Sequence, residues 1–154
     1  MASLDKNYYR AANKRLFKHG VWEVENETPA DGILHGDIEA RSWTSTKIVG
    51  GKRIPKVNTR QDWSIIDGHL DEGSGTSLHD HEGALGYRSW SYFELPEGTP
   101  IPPNLIVIQR GNKGHYQIEV RTGGVMTPDA LRGALDNFAR SCVVRMKELA
   151  EAGK

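Results

Sequence analysis

Polar and apolar residues alternate from His115 to Arg121, so a strand there puts Tyr116, Ile118 and Val120 on one side and His115, Gln117, Glu119 and Arg121 on the other. The apolar side is expected to enter a core and the polar side to face a cleft or solvent. Leu105, Ile106, Val107 and Ile108 run consecutively, the pattern of a strand covered on both faces. Gly111-Asn112-Lys113-Gly114 separates these two runs with turn chemistry and predicts a hairpin. Tyr87 to Leu95 alternates well enough for another strand. Tyr8-Tyr9-Arg10-Ala11 reads as a short early strand with Arg10 opposite Tyr9, and helix is the close competitor there.

Helical periodicity is clearest near the C-terminus. Thr127-Pro128-Asp129 supplies an N-cap residue, a proline for the first turn and an acid beside the helix N-terminus. Leu131, Leu135, Phe138, Cys142, Met146 and Leu149 then form one apolar stripe, with Gly153 as the stop, so Cys142 reads as a buried structural thiol. Pro96 to Pro103 is a rigid, non-helical connector. From Glu25 to Thr76 the chain reads as short strands and long loops without a repeat, ending in Gly73-Ser74-Gly75-Thr76-Ser77. The glycines there allow backbone approaches that a Cβ would block, including approach to a ligand. The expected fold class is α+β, mostly antiparallel sheets with a long C-terminal helix packed on them, in a single domain over 1–154.

Length and charge narrow the field. A chain of 154 residues can bury about two thirds of its unfolded surface in one core. The 20 Lys and Arg balance the 20 Asp and Glu, which argues against a long-range pull toward nucleic acid or an anionic membrane. A lone Cys142 excludes an internal disulfide. The first residues lack the apolar core of a secretory signal, and no stretch approaches the ~18 apolar residues of a spanning helix. The expectation is a protein cytoplasmic as made, without a signal peptide, whose export needs a dedicated machine.

The segment Leu95-Pro-Glu-Gly-Thr-Pro-Ile-Pro-Pro-Asn-Leu-Ile-Val-Ile-Gln109, followed by His115-Tyr-Gln-Ile, Met126 and Leu135-Asp-Asn-Phe-Ala-Arg140, resembles one family. It is the family of small type VI secretion exported toxins with an ADP-ribosyltransferase-like fold, named for the second such exported effector. The resemblance covers the last third of the chain strongly and continues upstream as three islands, Tyr9-Arg10-Ala11, Asp31-Gly32 and Gly75-Thr76-Ser77. Gln117 and Glu119, two apart on a strand, also resemble the catalytic arrangement of NAD-dependent ADP-ribosylating toxins.

The resemblance implies a cytotoxic effector that is active in the recipient cytoplasm and uses NAD as substrate, either as an ADP-ribosyltransferase or as an NAD glycohydrolase. It implies antiparallel sheets around a cleft, a cognate immunity protein that blocks this cleft, and delivery by the type VI machinery or a chaperone. Breaking the nicotinamide–ribose bond builds oxocarbenium character on the ribose, so a carboxylate such as Glu119 would lower the barrier. Arg10 offers a permanent cation with fork geometry for pyrophosphate and ribose, Ser77 with Gly75 would frame the nicotinamide pocket, and Gln117 would position the acceptor. The implied catalytic set is therefore Arg10, Ser77, Gln117 and Glu119, and the implied NAD-binding set is Tyr9, Arg10, Gly75, Thr76, Ser77 and His115. For His115, a ligand contact and a hairpin-capping role both stand. A glutamate at this position is not a constant of the toxin family, so Glu119 reads either as catalytic or as a solvated strand residue.

Two further readings stand beside this one. The first is a non-enzymatic toxin that binds a cellular target through the same fold. The second is a metal-dependent nuclease built on His79 and His81, although His79-Asp80-His81-Glu82 reads better as a solvated loop and no metal is assigned. The acceptor is left open among protein, nucleic acid, small molecule and water.

Overall fold

The computed structural model describes residues 2–13, 34–35, 41–66, 68–70, 74–88, 90–121 and 126–153. The Asp31-Gly32 island and residues 25–33, 36–40, 67 and 71–73 of the 25–75 region lie outside these residues. Nine strands precede one helix among the described residues: β1 Tyr8–Asn13, β2 Arg41–Val49, β3 Lys52–Arg60, β4 Ile65–Ile66, β5 His69–Leu70, β6 Thr76–His79, β7 Trp90–Leu95, β8 Leu105–Gln109, β9 His115–Val120 and α1 Pro128–Ala152.

Five strands form the main sheet in the order β7-β1-β6-β9-β8, every neighbour antiparallel. The two expected hairpin strands pair with Ile108 opposite Gln117 and Ile106 opposite Glu119. Gly111 and Gly114 take φ of 71° and 87° in the turn, where a Cβ would be strained. Alternation on β9 holds for the apolar side, because Ile118 and Val120 are buried in the core with Leu78 of β6 and Leu105 of β8.

The run Leu105 to Ile108 departs from the reading of a strand covered on both faces. Only Leu105 is fully buried, and β8 is the last strand of the sheet among the described residues.

Helix α1 starts where its sequence says it should. The Thr127 hydroxyl accepts from the Ala130 amide, Pro128 occupies the first turn, and Asp129 pairs with Arg132. Leu131, Leu135, Phe138 and Cys142 are all sealed in a core with Phe93, Leu95 and Ile118 of the sheet. The stripe is shorter than the periodicity implies, with Met146 partly buried and Leu149 exposed. Burial pushes the Cys142 thiol well up, which keeps it protonated and inert.

In the expected region of short strands and long loops, β2 and β3 are instead nine residues each, joined through Gly50 and Gly51 at φ of 57° and 79°. A two-residue turn with both φ positive matches strand twist, and only glycine adopts it without strain. The strands were hard to read because the described side chains from Thr44 to Val57 are all exposed, so no buried face imposes an apolar period.

Candidate functional site

The polar face of β9 continues across β6 to β1. Ser77 lies opposite Gln117, His79 lies opposite His115, and Tyr9 lies opposite His79, so these five residues share one face of three adjacent strands. The opposite face carries Leu78 and Ile118 into the core.

Within that face, His115 Nε2 lies 3.2 Å from Ser77 Oγ, and its Nδ1 lies 2.7 Å from the Arg110 carbonyl oxygen. A carbonyl only accepts, so Nδ1 carries a proton and donates to it. In the neutral ring Nε2 is then the acceptor for the Ser77 hydroxyl. The His79 ring stands edge-on to that of His115, with centroids 5.4 Å apart.

Arg10 approaches from β1. The β1–β6 ladder consists of the single pair Tyr9–His79, and beyond it Arg10 Nη1 donates to the Ser77 carbonyl at 3.1 Å. Arg10, Ser77, Gln117 and His115 are thus brought together. Tyr9 is half-buried, and burial, followed by Glu94 and Glu82, pushes its phenol up, so it remains a hydrogen-bond donor.

Three expected site residues stand differently. Glu119 shares the Gln117 face by alternation, yet it is only 2% exposed, because Arg110 closes over it with Nε and Nη2 donating to its two carboxylate oxygens at 2.8 and 3.0 Å. It is therefore neither solvated nor open to a cleft in this structure. Thr76 is fully buried on the core side, where its hydroxyl donates to the Leu34 carbonyl at 2.7 Å and accepts from Trp63 Nε1 at 3.0 Å. That commitment turns it away from any ligand. Gly75 does make a close backbone approach, but to β9: a Cβ there would collide with the Ile118 carbonyl oxygen.

Sequence reasoning missed His79 and Arg110 as parts of this face. The spacing of His79 and His81 points to a metal pair, while the strand ends in time to place His79 beside His115 and leave His81 to pair with Asp80 at 2.9 Å. Among the described residues, no set of three or more His, Cys, Asp or Glu side chains converges as metal ligands. Arg110 carried no signal of its own. Only the register of the hairpin shows that a residue just past β8 can reach back to Glu119.

Burial, followed by His115, His81 and Arg10, pulls the His79 pKa below its ordinary 6.5, and Asp80 opposes this. A group with a lowered folded pKa binds fewer protons folded than unfolded, so its contribution is complete above pH 6.5 and is lost as pH falls through the folded value. Chemical denaturation at about pH 7.5 and about pH 5.5 should therefore show an acid-side loss that is smaller in His79→Gln than in the parent.

A serine, a tautomer-fixed histidine, a glutamine and an arginine on adjacent antiparallel strands, backed by one C-terminal helix, make an α+β layout consistent with an ADP-ribosyltransferase-like toxin. The chain belongs to the Tse2 ADP-ribosyltransferase toxin family, which matches residues 6–146. It is similar to Toxin Tse2 of Pseudomonas aeruginosa, with 40% identity over 87 residues, covering 53% of this chain and 53% of that protein. The chain thus spans about half the length of the curated relative it matches. No solved structure matches.

Proposed function

We propose that this chain, as a single domain over 1–154, is a cytotoxic effector that binds NAD on the face formed by Tyr9, Ser77, His79, His115 and Gln117, with Arg10 at its β1 edge, and transfers ADP-ribose. The observation that carries this reading is a pair of buried polar atoms on that face. His79 Nδ1 and Gln117 Oε1 have no hydrogen-bond partner among the described residues. Leaving each buried and unmet costs about 1–3 kcal/mol, which a polar ligand seated on the face would offset.

In this reading the ribose–nicotinamide bond breaks with its electron pair leaving on nicotinamide, and an acceptor held by Gln117 attacks the ribose carbon. Ser77 turns its hydroxyl from His115 to the nicotinamide end, which frees His115 Nε2 to take the proton the acceptor gives up. Arg10 binds the phosphates or ribose. Glu119 acts on the ribose only after Arg110 exchanges it for substrate, since both of its oxygens are occupied at rest.

This commitment of Glu119 favours one second reading, a toxin of the same fold that binds its target without chemistry. Labelled NAD incubated with the purified protein, alone and with cell lysate, separates the two. Nicotinamide release or transferred label supports the enzyme, and neither product from protein shown to be toxic supports the binder. Glu119→Gln, which keeps the shape and removes the charge, is expected to lower turnover on the order of 10²-fold. Unchanged turnover would leave Glu119 as a structural partner of Arg110.

The proposal extends to delivery and control. The effector is made in the producing cell's cytoplasm, exported by type VI machinery, and active in the recipient cytoplasm. Among the described residues, no helix is long and apolar enough to cross a membrane. A cognate immunity protein covers the Ser77 face, burying on the order of 1,600 Å².

A further inference from the structure

A formal charge of zero conceals a strong segregation. Arg41, Lys47, Lys52, Arg53, Lys56 and Arg60 all fall in β2 and β3, and no Asp or Glu occurs between residues 41 and 60. The chain has 20 Lys and Arg against 20 Asp and Glu, so setting these six cations aside leaves 14 against 20 elsewhere. The six positions fall on one two-stranded ribbon, because β2 and β3 pair with each other and with no other described strand.

Register sorts the ribbon into two faces. The pairs Ser45–Lys56, Lys47–Ile54 and Val49–Lys52 put three lysines on one face, and Thr44–Val57, Thr46–Pro55 and Ile48–Arg53 make the other. The described side chains from Thr44 to Val57 are exposed, including Ile48 at 73% and Val57 at 72%. An exposed two-stranded ribbon is marginal by itself, so a surface of this kind is expected to have an occupant.

Composition decides the class of occupant. The cores of protein interfaces are depleted in lysine and rich in aromatic residues. On the lysine face the exposed lysines stand beside Ser45 and Asn58, side-chain types that bond phosphate and sugar oxygens, together with Val49 and Ile54, while Thr44 and Thr46 belong to the other face. The absence of any carboxylate removes the repulsion a polyanion would otherwise meet. A two-stranded ribbon also has the cross-section that enters a duplex major groove about 12 Å wide.

We propose that the β2–β3 ribbon binds a nucleic-acid duplex, with Lys47, Lys52 and Lys56 on its phosphates. The proposal concerns binding and stands whether or not the Ser77 face uses NAD.

The test is fluorescence anisotropy of the NAD-free protein with a fluorescein-labelled DNA duplex of about 20 base pairs and an RNA duplex of the same sequence. Binding is expected at about 50 mM salt. With about three phosphates neutralised by the three lysines, affinity should fall roughly 40-fold at about 200 mM. Tighter binding of DNA than RNA places the ribbon in the major groove, and equal binding leaves the phosphates as the contact. Lys47→Glu/Lys52→Glu/Lys56→Glu should abolish binding, and the triple Lys→Gln variant, which removes charge without reversing it, should weaken it at least ~10-fold. Both should keep the parent's circular dichroism, thermal midpoint and nicotinamide release. The proposal is overturned if neither duplex binds the parent at low salt, or if both variants bind as the parent does. It is equally overturned if polyglutamate displaces the labelled duplex as well as unlabelled duplex of matched charge, which would assign the ribbon to an acidic protein.

Discussion

Arg10→Ala is expected to lower nicotinamide release from NAD on the order of 10²- to 10³-fold, the scale on which removing one well-placed charged donor acts at a reacting centre. Arg10 reaches the proposed site where the β1–β6 ladder is a single pair, and one of its amino groups already holds the Ser77 carbonyl. Arg10→Lys keeps the charge but loses the planar fork that matches phosphate, so its activity should stay well below the parent's. The fold should suffer far less. Each lost hydrogen bond of this kind is worth about 1 kcal/mol, a shift of roughly 2–4 °C in the thermal midpoint. Turnover measured alongside thermal unfolding distinguishes the roles: a large activity loss with a small shift assigns Arg10 to the chemistry, and parallel losses make it structural.

Gly75→Ala should produce the largest loss of stability available from one methyl group. The added carbon would strike the Ile118 carbonyl oxygen and also crowd the Glu119 side chain. A backbone carbonyl inside the β6–β9 ladder cannot turn aside as a side-chain end can, because Thr76 and Ile118 are paired next to it. The expected cost is about 3 kcal/mol, or roughly a 10 °C drop in thermal midpoint. Gly133→Ala provides the opposite sign. Nothing lies within 4 Å of a Cβ placed there, it is inside α1, and alanine should raise stability by about 1 kcal/mol. Equal effects from the two substitutions would mean that helix and strand propensity, and not contact with β9, govern Gly75.

What was legible in the sequence follows from where a buried face imposes a period. Helix α1 and strand β9 carry both an apolar stripe and explicit end signals, and their extents match the pattern closely. The β2–β3 ribbon has no buried face among its described residues, so its strands left no apolar rhythm, and only Gly50-Gly51 marked the turn. Net charge misled for a related reason. A sum over the chain says nothing about placement, and six cations on one ribbon whose sequence holds no Asp or Glu weaken an argument against polyanion binding that rested on a total of zero.

The candidate site was legible as residue types and illegible as partnerships. Arg10 donates to the Ser77 carbonyl and Ser77 lies opposite Gln117, although Arg10 pairs with Phe93 on β7 and alternation on β1 turns it away from the Tyr9 side. Glu119 does not present an open carboxylate, because a cation beyond the end of β8 reaches back over it, and no spacing rule on β9 records that. Thr76 and Ser77 are adjacent in sequence but lie on opposite faces of β6, so one is in the core and the other faces His115.

The location of NAD on the Ser77 face is tested most directly by titrating NAD into isotope-labelled protein and following backbone amide chemical shifts. NAD seated there is expected to concentrate perturbations at Tyr9, Arg10, Ser77, His79, His115 and Gln117, and Arg10→Ala to abolish them. Perturbations concentrated instead along Asn137, Arg140, Ser141 and Arg145, which line a groove on α1, would contradict it.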